Sequence, residues 1–441
     1  MFITPALCCL NLSGKEIMSE RDTRKITTGS GRINHQYVSL LLLLAFYYLT
    51  YRYPLQINSA DTSPTYRDTP FVFAITKYML VMIVLFYYFM RASISLNLAK
   101  NKLSEAIGLV VVLYLFAHAF LGSILSKNEY LLEAGIFFVA ILPIYVFEFR
   151  DISFSKLSRY VTYFIYVSIA FELVQIILFV SFGRLPALAY KDSLLVRFGS
   201  IWDDPNGYSF IISFLLAFVV YSKYSSFKKA ILIITLSSML LMTQSFTGVA
   251  AAIGAFLIGS WILILFEKNI KILKYVTYSM LFGILCTAGI LYLISTDLFE
   301  GILLLKADSI SEHISMIQVL EHAGLSEWFG LSPHGLYGES GYVNILLNFG
   351  VVYLLLYVSI GVITVVRIVK AINKHKDKPG TEIFYGMLYF VIAFYIGMVN
   401  LPLETVFPLN LLLVVFYIIA FVGARAPKLE SSEHLYLTNE D

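Results

Sequence analysis

The chain has 441 residues, of which 59% are hydrophobic and only 14% charged, with a formal net charge of +3. No ordinary water-soluble fold of this length carries so few charges, and no nucleic-acid partner is expected. Apolar runs long enough to cross roughly 30 Å of hydrocarbon recur from end to end, which points to an integral membrane protein. Its spans are expected to be helices, whose backbone groups satisfy one another without water, because an outer-membrane barrel would show short alternating segments instead.

Residues 1–36 form a polar, basic tail apart from the apolar start MFITPALCCLNL. That start lacks the positive n-region and small-residue cleavage site of a secretory signal, and Met18 is an alternative initiator. Cys8 and Cys9 lie in this tail and Cys286 inside an expected span. The cysteines therefore offer neither a disulfide framework nor a metal-ligand spacing.

The hydropathy pattern then predicts spans at 37–57, 71–90, 106–125, 130–149, 160–182 and 206–222. A second set follows at 230–246, 248–266, 275–294, 342–366, 383–400 and 408–422. The expected fold is thus all-α: a polytopic membrane protein of about 12 transmembrane helices with one large outer loop. Residues 37–424 make the transmembrane domain, the loop occupies 296–340, and 425–441 form a C-terminal tail. Lys and Arg concentrate in alternate hydrophilic segments beginning with the first, which places both termini in the cytoplasm.

With that orientation the uncommon polar residues fall outside. Arg184, Lys191, Arg197, Asp203, Asp204 and Asn206 share one outer loop, Gln244 and Ser245 sit in a tight connection, and Glu404 lies in the last outer turn. His118, Glu133 and Glu172 map to the outer halves of their spans, and charged groups inside hydrocarbon usually face a cavity or a partner. Each has a plainer reading. Asp203-Asp204-Pro205-Asn206-Gly207 fits a turn followed by a helix N-cap as well as a ligand site. Arg184 and Arg197 fit interfacial snorkelling, although basic residues are scarce on the outer side. His118 fits an interhelical hydrogen bond.

The 296–340 loop holds a predicted amphipathic helix. Ser309 and Glu312 have capping-box spacing, and Ile310, Ile314, Ile317 and Leu320 form one stripe, as in a helix lying in the membrane interface. His313 and His322 are too far apart in sequence for the i, i+4 spacing of a helical metal pair. No metal site and no cofactor are expected.

Three stretches carry a family likeness: RFGSIWDDPNGYSFIISF from Arg197, LMTQSFTGVAAAIG from Leu241, and the histidine loop ending in Glu339-Ser340 before Gly350-Val351-Val352-Tyr353. In order, spacing and shared outer location they resemble the O-antigen polymerase and O-antigen ligase superfamily. The resemblance implies lipid-linked glycosyl transfer at the periplasmic face of a bacterial inner membrane, with the large loop periplasmic. The donor it implies is a polysaccharide chain on undecaprenyl diphosphate and the acceptor a second lipid-linked repeat unit, with a chain-length regulator as a further partner. Arg197 matches the arginine that the family carries before its Pro-Asn pair, and Glu339 stands where many members have His. That exchange favours a polymerase over a ligase. The chain departs from the pattern at Phe246, where the family often has Arg, and near His313, where an early-loop Arg is expected.

The chemistry can also be argued from the residues. Transfer from a sugar diphosphate passes through an oxocarbenium-like state while negative charge builds on the leaving group, so fixed cations lower the barrier. Arg197 and Arg184 suit that role, since a guanidinium binds phosphate oxygens in pairs and stays charged. Asn206, Asp203 and His313 are the accompanying candidates for diphosphate and glycan binding. The attacking hydroxyl needs a base, for which Glu339 is the first candidate, followed by His334 and His322. Trp202, Trp328 and Tyr342 have the type to stack on sugars, but aromatic residues also crowd every membrane interface. The rival reading is a proton-coupled transporter or lipid-linked sugar flippase built on His118, Glu133 and Glu172.

Overall fold

The structure is a computed structural model that describes residues 57–59, 103–126, 154–186, 189–192, 195–200, 202, 204–267, 318, 321–330, 338–406 and 409–425. The spans expected at 71–90, 130–149 and 275–294, that at 37–57 but for its last residue, and most of the 296–340 loop lie outside these residues. Every other expected span coincides with a helix. In chain order these are α1 (Leu103–Ser126), α2 (Phe154–Phe182), α3 (Pro205–Tyr221), α4 (Ser226–Met242) and α5 (Phe246–Glu267). A short helix, α6 (Leu325–Trp328), then precedes α7 (Gly341–Lys374), α8 (Glu382–Gly397) and α9 (Leu409–Arg425). Among the described residues, α2, α5 and α7 contain segments long and apolar enough to cross a membrane.

The all-α expectation needs one correction. Two antiparallel ribbons lie at the C-terminal end of α2: β1 (Ile57–Ser59) pairs with β2 (Arg184–Pro186), and β3 (Ala189–Asp192) with β4 (Leu195–Phe198). Ser59 stands opposite Arg184, and Tyr190 opposite Arg197. Such short strands carry too little periodicity to be read from sequence, and β1 finds its partner far along the chain.

The helix α8, EIFYGMLYFVIAFYIG, is apolar on all sides, and a helix of that kind belongs inside. It lies at the centre, packed against α3, α5 and α7, with Phe384, Met387, Leu388, Tyr389, Phe390 and Phe394 wholly buried. Gly386 lets Phe214 of α3 approach its backbone, in the manner of small-residue packing between membrane helices. Hydroxyls join the layers: Tyr389 Oη lies 2.9 Å from Tyr221 Oη and 3.0 Å from Ser260 Oγ.

The outer face of the bundle is inverted relative to a water-soluble protein. On α2 the exposed positions are apolar, with Tyr163 62%, Ile177 56% and Val180 75% accessible, while its buried stripe carries Ser168, Glu172 and Gln175. Apolar outside and polar inside is the pattern of a helix solvated by lipid.

The helix α7 is broken at Gly350, whose φ of 83° and ψ of 172° interrupt the helical ladder. Gly330, with φ 70°, crosses it there. The Gly350 amide and the Phe329–Gly330 backbone come so close that neither glycine has room for a Cβ. Both also have backbone angles that disfavour any side chain. The rings of Phe349 and Tyr353 stack at 4.4 Å beside this break, and His118 of α1 packs on both.

Candidate functional site

The contacts sort the connections into two ends of the bundle. At one end, Lys223 Nζ donates to the Asp377 carbonyl at 2.7 Å, Ser158 bonds Glu382, and His375 Nε2 donates to the Gly423 carbonyl at 3.0 Å. Lys229 and Lys374 likewise reach the carbonyls of Val220 and Ala424. Cations there cap the C-terminal carbonyls of helices. At the opposite end the connections are rich in amides and acids, and they hold the sequence-derived candidates that the structure describes.

Arg197 reaches that end on β4. Its Nε donates to the Thr243 carbonyl at 2.9 Å and its Nη2 to Asn206 Oδ1 at 2.6 Å. The guanidinium is therefore fixed between the α4–α5 turn and the first turn of α3. Gln244, held at φ 49°, adds a bond from its Nε2 to the Val196 carbonyl at 3.1 Å. Asn206 is placed by an N-cap that the sequence announces: Asp204 accepts from the amides of Asn206 at 2.9 Å and Gly207 at 3.0 Å, with Pro205 in the first helical position. Trp202 packs its ring over Gly207.

The second cluster forms at the start of α7. Asn344 accepts from the Gly338 amide at 2.9 Å and donates through Nδ2 to the Gly338 carbonyl at 2.8 Å, so it clasps the chain just before Glu339. The same Nδ2 lies 3.4 Å from Glu404 Oε1. Glu404 is 1% exposed, and its carboxylate lies against Gly341, whose amide donates to the carbonyls of Met398 and Leu401. Asn410 Nδ2 donates to the Glu404 carbonyl at 3.3 Å. Glu339 is half-buried beside this clasp. A bond of 2.7 Å from Asn400 Nδ2 to Thr247 Oγ1 ties the α8–α9 connection to the start of α5, four residues from the Thr243 carbonyl that holds Arg197.

Of the other expected site residues, Arg184 and His322 are described. Arg184 has its backbone in β2, paired with Ser59. His322 is exposed, and its Nδ1 donates to the Gln318 carbonyl at 2.7 Å, a bond within one helical turn. Asp203, His313 and His334 lie outside the described residues. Glu404 and Asn344 were missed as site residues by sequence reasoning. The available signal was the one charged residue in the connection from Gly397 to Leu409, and an asparagine pair, Asn344 and Asn348, at i, i+4 spacing on one face of α7.

A third polar group lies between α2 and α3. Glu172 is 1% exposed, and neither carboxylate oxygen has a hydrogen-bond partner among the described residues. Burying an isolated carboxylate costs on the order of several kcal/mol.

No protein-family model matches this chain and no curated protein matches it.

Proposed function

We propose that the chain is a polysaccharide polymerase of the O-antigen type, a metal-independent glycosyltransferase of the bacterial inner membrane. In this reading the basic end of the bundle is cytoplasmic and the amide- and acid-rich end periplasmic. It moves a glycan chain from undecaprenyl diphosphate to a lipid-linked repeat unit, as the sequence resemblance implies. The observation that carries the reading is the fixing of Arg197 by Asn206 and the Thr243 carbonyl at the same end of the bundle as Glu339. Preorganised cations stabilise a departing diphosphate because they need no rearrangement as charge develops. Glu339 takes the proton from the attacking hydroxyl, and the Asn344 clasp on Gly338 orients the segment that carries it.

Deleting the gene and resolving surface polysaccharide on a gel tests this directly. A polymerase mutant leaves single repeat units on the acceptor, a ligase mutant accumulates long chains on the carrier lipid, and a flippase mutant traps repeats on the cytoplasmic leaflet. The first pattern supports the reading; the other two replace it with a ligase or a carrier. The buried, unpartnered Glu172 is the observation that favours a carrier.

A further inference from the structure

The helix α2 presents Ser168, Glu172 and Gln175 on one face, since their spacings of four and three residues bring successive side chains above one another. All are buried, at 0%, 1% and 0% exposure. The turn before α3 is sewn over this face. Ser200, itself buried and held at φ 53°, receives Gln175 Nε2 on its carbonyl at 3.0 Å. Its hydroxyl donates to the Ser168 carbonyl at 2.7 Å. Tyr208 of α3 closes the other side, its hydroxyl facing Glu172, Ser200 and Ser168.

Within this enclosure three oxygens, both of Glu172 and Gln175 Oε1, have no hydrogen-bond partner among the described residues, and the Tyr208 hydroxyl meets those of Ser168 and Ser200 beside them. Buried polar atoms are rarely left so, and here they converge. We propose that Ser168, Glu172, Gln175 and Tyr208 bind a monovalent alkali cation, sodium, between α2 and α3.

The donor set selects the ion. Oxygen ligands suit a hard cation, and one carboxylate balances a single positive charge. A divalent ion would leave net charge in a region surrounded by lipid-facing helices. A bound proton would neutralise Glu172 yet serve only one acceptor, leaving an oxygen of the Glu172–Gln175 pair without a partner. A sugar does not fit groups closed over to this degree, whereas a dehydrated ion does. Arg197 and Glu339 contribute no atom to this set, so the site stands independently of the glycosyl-transfer reading.

The test uses the full-length protein purified in detergent, with choline chloride replaced by sodium chloride at constant ionic strength. A ligand that binds only the folded state raises the unfolding temperature in a saturable way. Sodium is expected to do this, with saturable binding of radioactive sodium at a single site per chain. Glu172→Gln is expected to raise the half-saturating sodium concentration by more than about tenfold. Ser168→Ala, which removes one neutral ligand, is expected to raise it less. Should Glu172→Gln fail to fold, the wild-type titration and Ser168→Ala still decide. Equal unfolding temperatures in sodium and choline, a stabilisation that follows pH alone, or an unchanged sodium response in Glu172→Gln would each overturn the proposal.

Discussion

The two ends of the bundle use polar residues in different ways. At the basic end two lysines and a histidine serve helix termini: Lys229 reaches back to the Val220 carbonyl of α3, while His375 and Lys374 reach the last turn of α9. These are side-chain donors meeting helix C-termini, and any compact helical protein needs such partners. At the opposite end side chain meets side chain, Arg197 with Asn206, Asn344 with Glu404 and Asn400 with Thr247. Helix capping alone does not call for asparagines bonded to the side chains of other elements. The proposed chemistry belongs to the second end, and the contrast can be attacked from both sides.

The largest effect is expected at the amide- and acid-rich end. Arg197→Ala and Glu339→Ala should each reduce polymer length and amount by about a hundredfold or more while the protein inserts at normal abundance. Polysaccharide gels read this, and full-length chains in both variants would remove that end's claim to the chemistry. Gly350→Ala should follow in size. The alanine must adopt φ near +83° against the backbone of Gly330, so a loss of about 2 kcal/mol or more in unfolding free energy is expected. Thermal unfolding in detergent would show it, and a neutral result would mean that the Gly330–Gly350 crossing is not part of the folded core.

Asp204→Ala tests the placement of Asn206. Losing an N-cap costs about 0.5–2 kcal/mol, and here the lost stability should come with lost polymer, because the cap sets the turn that holds Arg197. The smallest effect belongs to the basic end. Burial pushes the His375 imidazole below its ordinary value, partly opposed by its bond to the Gly423 carbonyl, so the folded state prefers the neutral ring. The stability this confers is complete above the unfolded value of about 6.5 and is lost as pH falls. Unfolding temperatures between pH 7.5 and 5.5 should therefore drop less in His375→Gln than in the wild type, with polymer unaffected at neutral pH.

Much of this architecture is legible in the sequence because it rests on local signals. Apolar length marks α2, α5 and α7, and Asp204-Pro205 announces the start of α3 through capping chemistry that needs no distant partner. The ribbons do not announce themselves, because β2 exists only by pairing with Ile57–Ser59. The role of Glu404 depends in the same way on Asn344, which arrives from another helix. Gly350 stands out in the sequence as part of a motif and not as a break, and only its contact with Gly330 explains a backbone angle that ends one helical piece and begins another.

That interruption has a mechanical side. With the hydrogen-bond ladder severed at Gly350, the stretch 341–349 and the stretch running on to Lys374 are separate rigid rods joined at a pivot. Phe329 and Gly330 press on the joint itself. Any force on the segment around α6 therefore reaches α7 at the joint between the two rods.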